Sequence, residues 1–288
     1  MKRRADPPKL PRQTVTSGDP LASFKDALIG HYPSKDALLK QARVEGQRRR
    51  KRAAGATVAA VSALIATLWA VDPAWQSSQI ATRIGERTTW TLRDGSTIQL
   101  NTNSIAVVEN HLRSQRIVLE QGEARFTVSH GWRKFIVEAG NTTILDIGTV
   151  FNVRRRPDDP TRTVDVAVLD GEVAVSTTSA PQAMALLQGR AIKVTADGTM
   201  SERATHPDHT AWADGRLVLD GTPLQQLVAE LQRYRTAPIR MRDEGIGTLR
   251  LSGDFDISRL ESFIDTLPTI LPVAVVRLPD GTVTISKR

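Results

Sequence analysis

Apolar residues recur along this chain with several different spacings, and each spacing predicts a different kind of element. Between residues 21 and 47 the spacing is helical: Leu21, Phe24 and Leu28 share one face, while Leu38, Leu39 and Ala42 share another. Pro33 separates the two pieces, and Ser34 is positioned to cap the second. Both helices are too short and too sparsely apolar to bury a core alone, so their apolar faces await a partner. Residues 53–71 then run for nineteen positions without a charge, interrupted by the hydroxyl side chains of Thr57, Ser62 and Thr67. As a helix this run spans roughly 28 Å, close to the hydrocarbon thickness of a bilayer.

From about residue 85 the period becomes two. The stretch "TTWTLRDGSTIQLNTNS" reads as strand, turn and strand, with Trp90, Leu92, Ile98 and Leu100 at alternating positions. "RIVLEQGEARFTV", "KFIVEAGNTTILDIGTVFNVR", "TVDVAVLDGEVAVST" and "AIKVTADGTMS" continue the pattern, with a strand expected through residues 144–153. Asp-Gly pairs at Asp94, Asp170 and Asp197 predict hairpins, because both residue types tolerate positive φ. The pieces "VLEQGEARFTV" and "VLDGEVAV" look alike without amounting to a repeat. Short strands at this density predict an all-β domain of antiparallel stacked sheets over residues 80–205. After a polar linker, residues 214–288 read twice as strand, helix and strand. Leu224, Leu227, Val228 and Leu231 mark one buried helix face, and Leu260, Phe263, Ile264 and Leu267 the other. The fold class is therefore multi-domain: a short helical segment (1–52), one transmembrane helix (53–71), the β-rich domain and a small C-terminal α+β domain.

Charge settles how the uncharged run is read. The chain has a net charge of +8, and Arg48 to Arg52 form five consecutive basic residues immediately before the run. Residues 1–52 hold fourteen Lys and Arg against five acids, a net +9, which leaves −1 for everything after them. All the basic excess lies on one side of the span, so the positive-inside rule predicts a cytoplasmic N-terminal segment and a periplasmic remainder. A cleaved signal would start near residue 1, and this run begins about fifty residues in, so a retained single-pass anchor in the inner membrane is expected. Trp69 and Trp75 at its far end suit the membrane–water interface. The same distribution argues against nucleic acid as a partner, since the bulk of the chain carries no basic surplus. Prolines at 7, 8, 11 and 20, with many charges, predict disorder at the start of the chain.

Chemistry-bearing motifs are sparse. There is no cysteine, which excludes disulfides and thiolate catalysis. The sequence holds no nucleophile elbow, zinc-protease helix, phosphate loop or dinucleotide fingerprint. Its five histidines, at 31, 111, 130, 206 and 209, are scattered, and "HPDH" (His206 to His209) reads as solvated linker. No metal or cofactor is expected, and no enzyme activity. One peptide bond has chemical potential, Gly148-Thr149 in "LDIGTVFNV". A Thr hydroxyl can attack the preceding carbonyl if the backbone is strained, although a Gly in a strand usually marks only a bulge or close packing.

The segments "TLRDGSTIQLNTNS", "RIVLEQGEARFTV", "FIVEAGNTTILDIGTVFNVR", "VDVAVLDGEVAV" and "WADGRLVLDGTPLQQLVAELQRY" resemble, in order, the FecR-type sigma regulators of cell-surface signalling. The likeness covers about residues 80–288, and the tail from 214 resembles the short domain at the N-termini of secretins and TonB-dependent receptors. The resemblance implies that residues 1–52 bind an extracytoplasmic-function (ECF) sigma factor, with Leu21, Phe24, Leu28, Leu38 and Leu39 as the favoured contacts. It implies that the periplasmic part senses the signalling domain of a TonB-dependent outer-membrane transporter, generally one for iron chelates. It also implies self-cleavage between Gly148 and Thr149 in some members, followed by regulated proteolysis. Residues 1–52 depart from the family by being shorter than usual and by having no Trp. A reading from another class is a periplasmic envelope-assembly protein that uses the C-terminal domain for docking, without sigma-factor control.

Overall fold

The computed structural model describes residues 35–146, 148–156, 162–206 and 210–288. The chain divides into two compact units, the boundary falling between Thr67 and Leu68. The first described element is a single α-helix, Lys35–Val71, of 37 residues. It runs without a break from the Leu38/Leu39 piece through the basic run into the uncharged one, where two separate helices were expected. Nothing in Lys35–Val71 breaks a helix: it has no proline, and its alanines and long basic side chains are strong helix formers. The helix is long and apolar enough to cross a membrane. Thr57 and Thr67 turn their hydroxyls back to the carbonyls of Ala53 (2.9 Å) and Ala63 (2.8 Å), so these groups need no water.

Residues 74–204 form the β-rich domain. Among the described residues, thirteen strands join through one long strand, Ser114–Thr127, that belongs to two sheets. Its first half pairs with Ile105–His111 and Lys134–Ala139; its second half pairs with Thr97–Leu100 and Val150–Arg155. The change of sheet happens at Gly122, whose φ of +89° is open to glycine at little cost. The two layers close on a shared core. Phe126 stacks on Phe151 at 5.0 Å and meets Phe135 edge-on at 6.0 Å, Phe135 coming from the opposite sheet. Ile98, Ile117, Leu119, Val137, Ile144 and Val166 fill the space around them, all with no exposed surface.

Several expectations change. The strand pairings include a parallel one, Ser114–Thr127 with Lys134–Ala139, so the stacked sheets are not purely antiparallel. Asp94-Gly95 and Asp197-Gly198 do turn hairpins, with φ of +86° and +87° at the glycines. Asp170-Gly171 does not. Its flanking strands Val164–Asp170 and Glu172–Thr177 pair with other partners, and Gly171 (φ +81°) carries the chain from one sheet to the other. The likeness between "VLEQGEARFTV" and "VLDGEVAV" thus has a physical reason: both cross between sheets at a Gly-Glu corner. Trp90 is 46% exposed, although Leu92, Ile98 and Leu100 of the same pattern are buried.

The C-terminal α+β domain holds two helices, Leu224–Gln232 and Leu260–Ile270. Both predicted apolar faces are fully or nearly buried against strands Arg216–Pro223, Ile239–Met241, Arg250–Asp256, Val273–Arg277 and Val283–Lys287. Asp280-Gly281 turns the last hairpin, with φ +82° at the glycine.

The corner at Gly122 generates a prediction. A Cβ there would lie 2.1 Å from the Ser104 hydroxyl oxygen and 2.5 Å from its Cα, so Gly122→Ala collides as well as straining φ. It should cost roughly 3 kcal/mol or more in equilibrium unfolding. Gly189→Ala, at φ +77° with nothing within 4 Å, should cost about 1 kcal/mol. Equal losses at both glycines would contradict the corner's role.

Candidate functional site

The Gly148-Thr149 bond lies in the connection between strands Thr142–Asp146 and Val150–Arg155, which belong to different sheets. It is therefore not inside one continuous strand, as the period of two suggested. The reason is a further change of sheet, which interrupts the ladder between these two strands. Gly148 has φ +133°, and a Cβ on it would come within 2.7 Å of the His130 ring. No other residue fits there.

Thr149 is 6% exposed and tightly held. Its hydroxyl donates to Asp146 Oδ1 at 2.5 Å, and the Gly148 amide donates to Oδ2 of the same carboxylate at 3.1 Å. Its carbonyl accepts from the Val128 amide at 2.9 Å. Its methyl faces Gly171, where an added Cβ would sit 2.5 Å away. A buried carboxylate thus sits at hydrogen-bond distance from the one hydroxyl able to attack the Gly148 carbonyl, the geometry a general base requires. Asp146 and His130 were missed in the sequence. Asp146 had a readable signal, since an Asp two residues before Gly favours a side-chain turn onto the following amides. His130 had none, lying eighteen positions upstream of Gly148.

A second constellation joins the β-rich domain to the C-terminal one. Glu123, buried at the corner after Gly122, accepts from Asn152 Nδ2 (3.0 Å) on one oxygen. Its other oxygen accepts from Asn101 Nδ2 (2.9 Å) and Arg233 Nη2 (2.6 Å). Arg233 also donates to Glu230, whose other oxygen meets Arg154 at 2.9 Å. The Tyr234 hydroxyl donates to Asn101 (3.1 Å), and Trp212 Nε1 donates to Asn152 (3.2 Å). The end of helix Leu224–Gln232 and the turn after it are thereby fastened to strands Val150–Arg155 and Ser114–Thr127.

Burial works against ionisation of Glu123, yet Arg233 and Arg154 hold its carboxyl below the ordinary range. Burial likewise opposes the charge of Glu230, and the Arg154 and Arg233 guanidiniums overcome it, holding its pKa at about 2. Removing one partner from such a cluster is costly, because the remaining charge is left buried.

Of the residues favoured for a partner contact, Leu38 and Leu39 lie on helix Lys35–Val71, 50% and 52% exposed. Leu21, Phe24 and Leu28 lie outside the described residues, as does the Pro207–His209 part of "HPDH". His206 meets Asp220 at 3.3 Å.

Residues 78–174 match the FecR protein family. Two crystal structures of a proposed anti-sigma factor from Parabacteroides distasonis ATCC 8503 share the fold. One is 22% identical, with a TM-score of 0.61, and covers 74% of this chain and 100% of that one. The other is 23% identical, also with a TM-score of 0.61, and covers 73% and 99%. The likeness therefore extends well beyond residues 78–174. No curated protein matches.

The depressed pKa of Glu230 predicts a pH dependence. Its contribution should be complete above about pH 4.5 and be lost as pH falls towards about 2. The stability difference between wild type and Glu230→Gln should shrink over that window in urea titrations at a series of pH values. A difference independent of pH would mean that Glu230 is not held ionised by these arginines.

Proposed function

We propose, from a chain that carries the FecR-family domain over residues 78–174, that this protein is a single-span inner-membrane regulator of a cytoplasmic ECF sigma factor. The observation that carries the reading is one of order. A FecR-family β domain follows directly on a helix able to cross a membrane, and that helix is preceded by five consecutive basic residues. Charge asymmetry supports a cytoplasmic N-terminus. The fold shared with a proposed anti-sigma factor is in keeping with it. In this reading residues 1–52 hold the sigma factor through Leu21, Phe24, Leu28, Leu38 and Leu39. Residues 214–288, as a secretin- and TonB-receptor-like module, receive the signalling domain of an outer-membrane transporter, generally one for an iron chelate.

The Gly148-Thr149 turn supplies the step that makes such a relay irreversible. Thr149 Oγ1 attacks the Gly148 carbonyl carbon as its proton passes to Asp146. The tetrahedral intermediate then expels the Thr149 nitrogen, which takes that proton and becomes a free amine. Gly148 is left esterified to the Thr149 side chain, and water hydrolyses the ester to give fragments ending at Gly148 and beginning at Thr149. The 2.5 Å hydrogen bond to Asp146 and the close packing of His130 on Gly148 support this route. Regulated proteolysis would follow on the opened chain.

Two experiments test the reading separately. In co-purification from cells, Leu38→Asp with Leu39→Asp in the full chain should reduce recovery of the sigma factor at least about tenfold, since each buries a charge in an apolar contact. Undiminished recovery would remove these leucines from the contact. For the bond, purified wild type and Thr149→Ser should yield two fragments meeting after residue 148, and Thr149→Ala should stay whole. Asp146→Asn should slow the cut by about 100-fold or more. Intact wild type, or cutting of Thr149→Ala at the wild-type rate, would dismiss self-cleavage.

A further inference from the structure

The chain is fastened to the β domain at the point where it leaves the helix. Asp72, the first residue past Val71, accepts from the Arg113 amide (2.8 Å) with one carboxylate oxygen and from the Ser114 hydroxyl (2.7 Å) with the other. Its carbonyl lies 2.5 Å from His111 Nδ1. The hairpin tip at residues 111–114 is therefore held against the residue that ends the apolar helix. A neighbouring loop is drawn to the same place. Arg133 donates to the carbonyls of His111 and Ser114, the latter at 3.0 Å, and the Lys134 amide donates to the Arg113 carbonyl at 3.2 Å.

What these two tips display is unusual for a surface facing water. Trp132 is 79% exposed on the loop, and Leu112 is 52% exposed on the hairpin. Trp75, three residues past Asp72, is 55% exposed, with the Arg93 guanidinium 5.2 Å above its ring. The Arg113 guanidinium lies 4.8 Å over the ring of Trp69. Large aromatic rings flanked by arginines suit one environment above others, the headgroup layer of a bilayer, where an apolar body and a cationic rim are both satisfied.

We propose that the tip carrying Trp75, Leu112 and Trp132, rimmed by Arg93, Arg113 and Arg133, lies against anionic phospholipid on the side of the membrane where the span emerges. The proposal rests on residues 53–71 being a membrane span. Covalent continuity favours lipid over a soluble partner. The tips are hydrogen-bonded to Asp72, so they stay within a few ångströms of the chain's exit from the bilayer whenever that span is inserted. Basic residues add to the attraction, each worth on the order of fivefold in partition onto an anionic surface. The consequence is that the β domain meets the membrane through this tip.

The chain has no cysteine, so single labels can be placed without competition. Gly131 accepts a side chain, its nearest neighbour to an added Cβ being 3.9 Å away, and Val61 lies within the span. Full-length Gly131→Cys and Val61→Cys, each labelled with an environment-sensitive fluorophore, would be placed in nanodiscs containing phosphatidylglycerol and brominated lipid. Both labels should be quenched. Quenching at 131 should fall several-fold with Trp132→Ser, with Asp72→Ala, or when phosphatidylglycerol is replaced by phosphatidylcholine, while quenching at 61 stays unchanged. Quenching at 61 without quenching at 131, or equal quenching at 131 in both lipids, would overturn the lipid-facing tip and leave the span intact. Loss of quenching at 61 as well would remove the span and the proposal with it.

Discussion

One buried carboxylate, Glu123, constrains everything that follows the span. An ionised side chain with almost no access to water is tolerable only when cations and donors surround it, and no single domain supplies them all. Asn101 and Asn152 come from the β-rich domain, while Arg233 comes from the turn after the first C-terminal helix. Separating the two domains would take Arg233 from the carboxylate and break the bonds that cross the joint. The Arg233 ion pair therefore couples the two domains, with the Trp212 and Tyr234 hydrogen bonds adding direction.

Strand Val150–Arg155 connects this joint with the candidate cleavage turn. It begins directly after Thr149 and carries Asn152 and Arg154, both members of the buried cluster. Asn152, which meets Glu123, lies three positions after Thr149, and Arg154, which meets Glu230, lies five positions after it. Strand Ser114–Thr127 pairs with it and bends at Gly122 immediately before Glu123. The glycine corners therefore do more than close a sandwich. They bring the joint and the Gly148-Thr149 bond onto a common pair of strands.

Local patterning was legible wherever burial alone decides structure. Leu224, Leu227, Val228 and Leu231 are buried as their helical spacing demands, and so are Leu92, Ile98 and Leu100 from theirs. Patterning failed where the chain changes sheets. The strand-like composition on either side of Gly148-Thr149 and of Asp170-Gly171 gives no sign that the hydrogen-bonded neighbours change at the corner. The short helix carrying Leu38 and Leu39 merged with the span because intrinsic propensity across Arg48 to Arg52 favours helix, a point that apolar periodicity does not report. Of the candidate site, Gly148 and Thr149 were readable as a dipeptide and Asp146 as its turn-former. Glu123 and Arg233 were not, since 110 positions separate them and each reads alone as an ordinary surface charge.

The central claim, that the buried Glu123 cluster makes the β-rich and C-terminal domains one cooperative body, is tested most directly by native-state amide hydrogen exchange on the intact protein. In wild type the core amides of helix Leu260–Ile270 and of strand Lys134–Ala139 should open with the same free energy. In Glu123→Gln the helix should open more readily than the strand. Unequal opening in wild type, or no change on replacing Glu123, would contradict the claim.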